Sequence, residues 1–76
     1  MQEEKVVEYS KLRGRIVEKF RTCNAFSDEI GWKSTYLSAK LAGKIGFTFS
    51  DVGLFVKKLD IPVTEIWDYF FAPIIE

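Results

Sequence analysis

Apolar residues recur at spacings of three and four along most of this chain, which is the pattern of amphipathic helices. The first predicted helix covers about residues 9–21, and its apolar face consists of Tyr9, Leu12, Ile16 and Phe20. Gly14 lies within this pattern, where glycine costs about 1 kcal/mol relative to alanine. Its presence predicts that another backbone approaches the helix closely at this point.

Two short helices follow with almost no linker between them. Thr22 is a favourable cap for the first of them, residues 23–30, and Gly31 ends it in the left-handed conformation that glycine tolerates best. The next helix begins at residue 33 or 34 and stops at Gly43. Two short helices joined by a turn that contains glycine predict a helix-turn-helix unit.

The remaining pattern predicts two more helices. Thr48 followed by Asp51 is close to a capping box and indicates the start of a fourth helix. This helix ends before Pro62, because the residue that precedes a proline is pushed out of the helical region. A last short helix begins again at Val63, and we expect Pro73 to end it.

These elements predict an all-α, compact five-helix domain over residues 9–76, preceded by an acidic N-terminal tail of residues 1–8. A length of 76 residues leaves room for one small domain. The 47% hydrophobic content argues against disorder. Cys23 is the one cysteine and the chain has no histidine, so neither an internal disulfide nor a zinc site is expected.

No combination of residues suggests catalysis. A catalytic thiol needs a histidine or an equivalent base, so we interpret Cys23 as structural. Asp28 and Glu29 are adjacent and diverge by about 100° on a helix, so they cannot share an acid–base site. No glycine-rich phosphate loop or metal-ligand spacing is present. We expect no enzyme activity, no metal, no cofactor and no small-molecule substrate.

The chain also lacks the sequence features of a membrane or secreted protein. Its apolar runs are too short to cross a bilayer, and acidic residues precede the first of them, unlike a secretory signal. One unpaired cysteine fits a reducing compartment. We therefore expect a cytoplasmic protein.

Charge is distributed unevenly along the chain, although 11 basic and 11 acidic residues cancel overall. Residues 9–49 carry eight basic and three acidic side chains, a net charge of +5. Residues 50–76 carry two basic and five acidic side chains, a net charge of −3. The difference suggests separate surfaces for two kinds of partner, or else a charged surface that only contacts water.

Particular segments add a family resemblance to this pattern. Residues 26–37 (FSDEIGWKSTYL), with residues 43–44 and 59–61, resemble the lambda-repressor-like helix-turn-helix domains. Residues 11–18, 37–41 and 69–71 are similar to a small group of phage proteins usually labelled Cro-like regulators. The resemblance extends over roughly residues 9–73. It implies a small transcriptional regulator of phage or prophage origin, a repressor that binds operator DNA.

The resemblance also implies which residues meet double-stranded DNA, since the second helix of such a motif enters the major groove. The positions that would face the bases are Ser34, Thr35, Ser38 and Ala39. The positions that would lie near phosphates are Thr22, Asn24, Lys33 and Lys44. Serine, threonine and alanine discriminate bases less well than arginine or asparagine, so sequence preference should be modest or depend on Lys33 and DNA shape. Lys40 stands where many relatives carry an apolar residue, and we expect it to extend its charge outward over Leu37 and Tyr36.

Large apolar residues crowd the end of the chain. They either complete the core or form a self-association surface, because aromatic residues are favoured at interfaces. The candidate interface residues are Trp67, Phe70, Phe71 and Ile74. A two-fold homodimer would hold two recognition helices about 34 Å apart, one turn of DNA. Alternatively, the partner is a repressor protein, and the chain is an antirepressor that uses the same fold to bind it.

Overall fold

A computed structural model describes residues 9–75, and the side chains of residues 9–74. The predicted acidic tail, residues 1–8, lies outside the described residues, as does residue 76. Over the described range the chain is helical and contains no strand, which confirms the all-α class. The four long helices are α1 (Ser10–Phe20), α2 (Cys23–Ile30), α3 (Ser34–Leu41) and α4 (Phe49–Leu59). A C-terminal segment follows, made of a 3₁₀ turn (Val63–Glu65), a π-helical stretch (Trp67–Phe71) and α5 (Ala72–Ile75).

The predicted helix boundaries on either side of the first turn are confirmed within one residue. α1 ends at Phe20 because Arg21 leaves the helical region, with φ of 74° and ψ of −41°. The Thr22 hydroxyl then caps α2 by accepting a hydrogen bond from the Ala25 N–H, at 3.0 Å. Gly31 ends α2 with φ of 76°, as its position predicts.

α4 is held at both ends. At its start, the Asp51 N–H donates to the Thr48 hydroxyl at 3.1 Å and the Thr48 N–H donates to the Asp51 carboxylate at 3.0 Å, which confirms the capping box. At its end, the Arg15 guanidinium of α1 donates to the carbonyl oxygens of Leu59 and Asp60, each at 2.9 Å. A cation at this position also interacts favourably with the helix dipole.

The expectation that Pro73 ends the last helix is wrong. In the π-helical stretch the Ala72 N–H donates to the Trp67 carbonyl, five residues back. α5 begins at Ala72, so Pro73 lies in its first turn. The helical conformation continues from the π-helical stretch through Pro73 without a break, although Pro73 itself has no N–H to donate.

The core takes apolar side chains from α1 to α4 and from the C-terminal segment. Its buried members are Tyr9, Leu12, Ile16, Phe26, Leu37, Leu41, Phe55, Leu59, Ile61, Tyr69 and Phe70. Phe55 of α4 lies among aromatic rings, with its centroid 5.0 Å from that of Phe26, 5.3 Å from that of Phe47 and 6.2 Å from that of Phe70. Edge-to-face pairs of this kind stabilise a small core beyond the area they bury.

The prediction of a close backbone contact at Gly14 is also wrong. A Cβ atom built at this residue would have no other atom within 4 Å, apart from its immediate surroundings in the chain. The glycine therefore stands on the exposed side of α1, where nothing in the packing requires it.

Candidate nucleic-acid interface

α2 and α3 are joined by a tight turn that directs one face of α3 outward. The Trp32 N–H donates to the Ser27 carbonyl at 2.9 Å, which closes the turn behind Gly31. α3 buries Leu37, Lys40 and Leu41 against the rest of the molecule. Its other face is therefore exposed, and this face carries Ser34, Thr35 and Ser38.

This exposed face borders a concave surface, which we call the α3 depression. It is lined by Asn24, Ser34, Thr35, Ser38, Ala39, Ala42 and Lys44. Six of the eight residues expected at DNA are thus brought together. Ala42 was missed, although it lies three residues after Ala39 and four after Ser38, a spacing that places it on the same helical face.

The other two expected residues lie outside the α3 depression. Lys33 lines an adjoining hollow together with Asn24, Asp28, Ser34 and Thr35. Thr22 is exposed and its hydroxyl oxygen accepts the capping hydrogen bond of α2. Lys33 therefore extends the same concave surface, whereas the described role of Thr22 is to start α2.

The two lysines of this surface differ from several others in having no charged partner. Within residues 9–75, the side chains of Lys33 and Lys44 make no hydrogen bond and no ion pair. By contrast, Lys19 pairs with Asp60 at 3.4 Å, and Lys58 pairs with Glu29 at 3.1 Å. The pair with Lys58 directs Glu29 towards α4, so Asp28 is the acidic residue that lines the hollow beside Lys33.

Lys40 does not extend outward as expected, and that prediction is wrong. Its side chain is 1% exposed, and its Nζ donates to the Asp51 carboxylate at 2.5 Å and to the Gly46 carbonyl at 2.7 Å. The ammonium also lies 5.2 to 5.7 Å from the ring centroids of Trp32, Tyr36 and Phe47. A buried ammonium is tolerated here because two oxygens and three aromatic faces replace its water.

For each partner of this ion pair, burial and ion pairing shift the pKa in opposite directions. Burial alone would lower the pKa of Lys40, but the hydrogen bond and charge of Asp51, with a contribution from Tyr36, outweigh it and raise that pKa. Burial likewise would raise the pKa of Asp51, but Lys40 and the Thr48 N–H outweigh it and lower that pKa. Both groups are therefore held in their charged forms.

The Lys40 contacts also hold the loop that carries Lys44. Gly46 lies in this loop, and its carbonyl is bonded to Nζ of Lys40. The Lys44 N–H donates to the Ala39 carbonyl at 2.9 Å. The loop is therefore tied to the C-terminal end of α3 through Lys44 and to the buried lysine through Gly46.

The expected interface at the end of the chain is only partly on the surface. Trp67 is 55% exposed, Ile74 49% and Phe71 41%, and the rings of Trp67 and Phe71 stack with centroids 5.5 Å apart. Phe70 is 2% exposed, with its ring 5.4 Å from that of Phe47. Phe70 therefore packs into the core, and its contribution to an interface stays a prediction.

Phe49 is an exposed aromatic residue that the sequence pattern did not single out. Its side chain is 95% exposed at the first position of α4. It precedes Phe55 by six residues, which places it about 120° away around a helix of 3.6 residues per turn. A helical projection of α4 could have identified it as lying off the buried face.

Between residues 9 and 75, no helix combines the length and the apolar character needed to cross a bilayer. The same residues contain no group of three or more acidic, cysteine or histidine side chains that could hold a metal ion.

Comparison with known proteins adds one family match. Residues 6–73 match the model of a family described as "Protein of unknown function (DUF739)". The matched range contains the whole of α1 to α4 together with the π-helical stretch. No curated protein matches the sequence.

Proposed function

For this chain, which belongs to the DUF739 family, we propose the function of a small Cro-like transcriptional regulator that binds operator DNA through α3. The observation that carries the proposal is the α3 depression, where exposed small polar side chains and an unpaired lysine share one concave surface. The protein acts by binding, and its helix-turn-helix unit consists of α2 and α3. The resemblance to phage regulators supports a phage or prophage origin.

The arrangement of α3 suits the major groove. A groove about 12 Å wide admits one α-helix, and the residues near the helix N-terminus reach the base edges. In α3 these residues are Ser34, Thr35 and Ser38, all exposed. None of them carries a long side chain that would hold the helix away from the bases.

Phosphate contacts come from the two ends of α3. Lys33 is the residue that precedes α3, and Lys44 follows its C-terminal end by three residues. With no charged partner of their own among residues 9–75, both ammonium groups are available to anions. Each phosphate that a lysine neutralises releases counterions, so the affinity falls as salt rises.

The same surface limits the expected affinity. Asp28 lies in the hollow beside Lys33 and repels phosphate. The chain as a whole has a formal net charge of zero. Binding to random duplex DNA should therefore be weak at physiological salt, and recognition depends on α3 fitting the groove of a suitable sequence.

The test is selection of duplexes from a random pool at low salt, followed by fluorescence anisotropy with the enriched sequence. Ser38→Glu introduces a negative charge into the exposed face of α3 and should abolish binding. Ser50→Glu is the matched control, because Ser50 is exposed in the first turn of α4 and does not line the α3 depression. Failure to enrich any sequence, or equal losses in both variants, would contradict the proposal.

A second candidate function is that of a protein-binding antirepressor. The observation that favours it is the exposed, stacked pair of Trp67 and Phe71 on the C-terminal segment. If the candidate is correct, the protein co-elutes with its cognate repressor and reduces binding of that repressor to its operator. Trp67→Ser should prevent both effects, whereas Val17→Ser, a change at an exposed apolar residue of α1, should not. Co-elution that is insensitive to Trp67→Ser would count against this surface.

A further inference from the structure

An apolar groove lies beside the exposed Phe49, and neither the α3 depression nor the core accounts for it. Its walls and floor include Tyr9, Phe47, Val52, Phe70, Phe71 and Ile74. Phe49 also lines this groove, although its side chain is almost fully exposed. We call this surface the Phe49 groove.

The direction of Phe49 is set by the structure around it. The side chain follows Thr48, whose hydroxyl caps α4, and precedes Asp51, which completes the capping box and pairs with Lys40. These contacts hold the first turn of α4 in place. The phenyl ring is therefore held in contact with solvent by an ordered part of the molecule. The folded chain does not gain the free energy that burial of this ring would contribute.

We infer that the Phe49 groove binds Phe49 of a second copy of this chain, in a dimer with two-fold symmetry. A two-fold interface brings the same patch of both copies together, so the patch must be complementary to itself. Here the projecting ring and the groove adjoin on one face. A two-fold axis between the two Phe49 rings lets each ring enter the groove of the other copy.

The exposed apolar area is sufficient for such a dimer. Judged from their exposed fractions, Phe49, Phe71, Ile74 and the Trp67 ring stacked on Phe71 present roughly 400–500 Å². Two copies would bury about 800–1,000 Å² in total, which is the size of a weak, reversible interface. The residues that line the groove carry no charge, so like charges do not oppose the approach of two copies.

The dimer does not depend on the proposed DNA binding and is tested without DNA. Sedimentation equilibrium of the full chain, from micromolar concentration to about 1 mM, measures the mass and the dissociation constant. The mass should rise from 8.8 kDa towards twice that value as the concentration increases. A filtered nuclear Overhauser experiment on a mixture of labelled and unlabelled wild-type protein should show contacts between Phe49 of one copy and Phe71 of the other.

Two substitutions locate the interface. Phe49→Ser should raise the dissociation constant at least about tenfold, because it removes the inserted ring. It leaves the Thr48 cap intact, and circular dichroism checks that the helices remain. Val63→Ser is the control, since Val63 is 79% exposed but does not line the groove.

Three results would overturn the inference. One is a constant mass of 8.8 kDa over the whole concentration range. Another is a dimer that Phe49→Ser leaves unchanged. The third is an absence of intermolecular contacts at Phe49 in a sample that sediments as a dimer, because the two copies would then meet through another surface.

Discussion

The ammonium group of Lys40 lies 2.5 Å from the carboxylate of Asp51, and this contact joins α3 to the first turn of α4. The same carboxylate oxygen also accepts the Thr48 N–H that belongs to the capping box. A single oxygen atom of Asp51 thus neutralises a buried cation and also completes a helix cap. Removing either partner leaves the other charge in a poorly hydrated position.

Loss of Asp51 should destabilise the protein more than loss of Lys40. Asp51→Ala leaves a fully buried ammonium without its counter-charge and removes part of the α4 cap, at a cost of about 3–5 kcal/mol. Lys40→Met leaves a carboxylate that is 14% exposed and still accepts the Thr48 N–H, so we expect about 1–3 kcal/mol. Urea unfolding measures both values. The double variant should lose less than the sum of the single variants, and additive losses would show that the two groups are not coupled.

The ion pair also predicts how stability depends on pH. The pKa of Asp51 is lowered by folding, so its contribution is present above the unfolded pKa of about 3.9 and is lost as pH falls through the lower folded value. The pKa of Lys40 is raised by folding, so its contribution is present below about 10.4 and is lost as pH rises through the higher folded value. Unfolding free energies between pH 2 and pH 5 should therefore fall less steeply in Lys40→Met than in the wild type. Parallel curves for the two proteins would contradict the assigned cause of the lowered pKa.

Replacing either of two helical glycines by alanine should raise the free energy of unfolding. Gly14→Ala in α1 and Gly53→Ala in α4 should each stabilise the protein by about 0.5–1 kcal/mol, because the new Cβ has no atom within 4 Å beyond the local helix backbone and the unfolded chain loses freedom. Gly31→Ala is the matched control and should destabilise, since Gly31 has φ of 76°. Thermal unfolding of the three variants checks the signs. A loss of stability in Gly14→Ala would restore the original expectation of a close contact there.

The two unpaired lysines near α3 should contribute to DNA binding through phosphate. Lys33→Ala and Lys44→Ala should each weaken binding to all duplexes by a similar factor, and each should reduce the slope of log affinity against log salt by about 1. The control is Lys57→Ala, which removes an exposed lysine of α4 that lines neither concave surface. Anisotropy titrations at several salt concentrations give the slopes. If Lys57→Ala changes the slope as much as the other two, the contact surface does not centre on α3.

The sequence predicts the helices and their caps well because these depend on residues close together along the chain. The Thr22 and Thr48 caps and the Gly31 terminus follow from local chemistry and are confirmed. The direction of a side chain at the edge of a helical face depends instead on what other helices bring near it. Lys40 turns inward because its ammonium group pairs with Asp51, eleven residues away, and lies against three aromatic rings. The spacing of apolar residues along the chain does not indicate that these groups will surround a lysine.

The difference between local and long-range contacts also explains which candidate surfaces could be predicted from the sequence. Ser34, Thr35 and Ser38 belong to one short helix, so their shared exposure follows from the three buried positions of that helix. The crowded aromatic end is different, because its division into core and surface depends on Phe47 and Phe55 from other elements. Phe70 meets both of these rings, whereas Phe71 points to the surface. Adjacent residues of identical type thus have opposite environments that composition cannot separate.

The contacts at the two ends of α4 also determine which sequence changes this helix can accommodate. Arg15 holds its last carbonyl groups and Lys40 holds its first turn through Asp51, so the spacing between the two contacts is set by the number of residues in between. An inserted residue would rotate one end of the helix by about 100° relative to the other. One of the two contacts would then be broken and Phe55 would turn away from the core. Exchange of exposed residues along α4 is therefore compatible with the fold, whereas a change in its length is not.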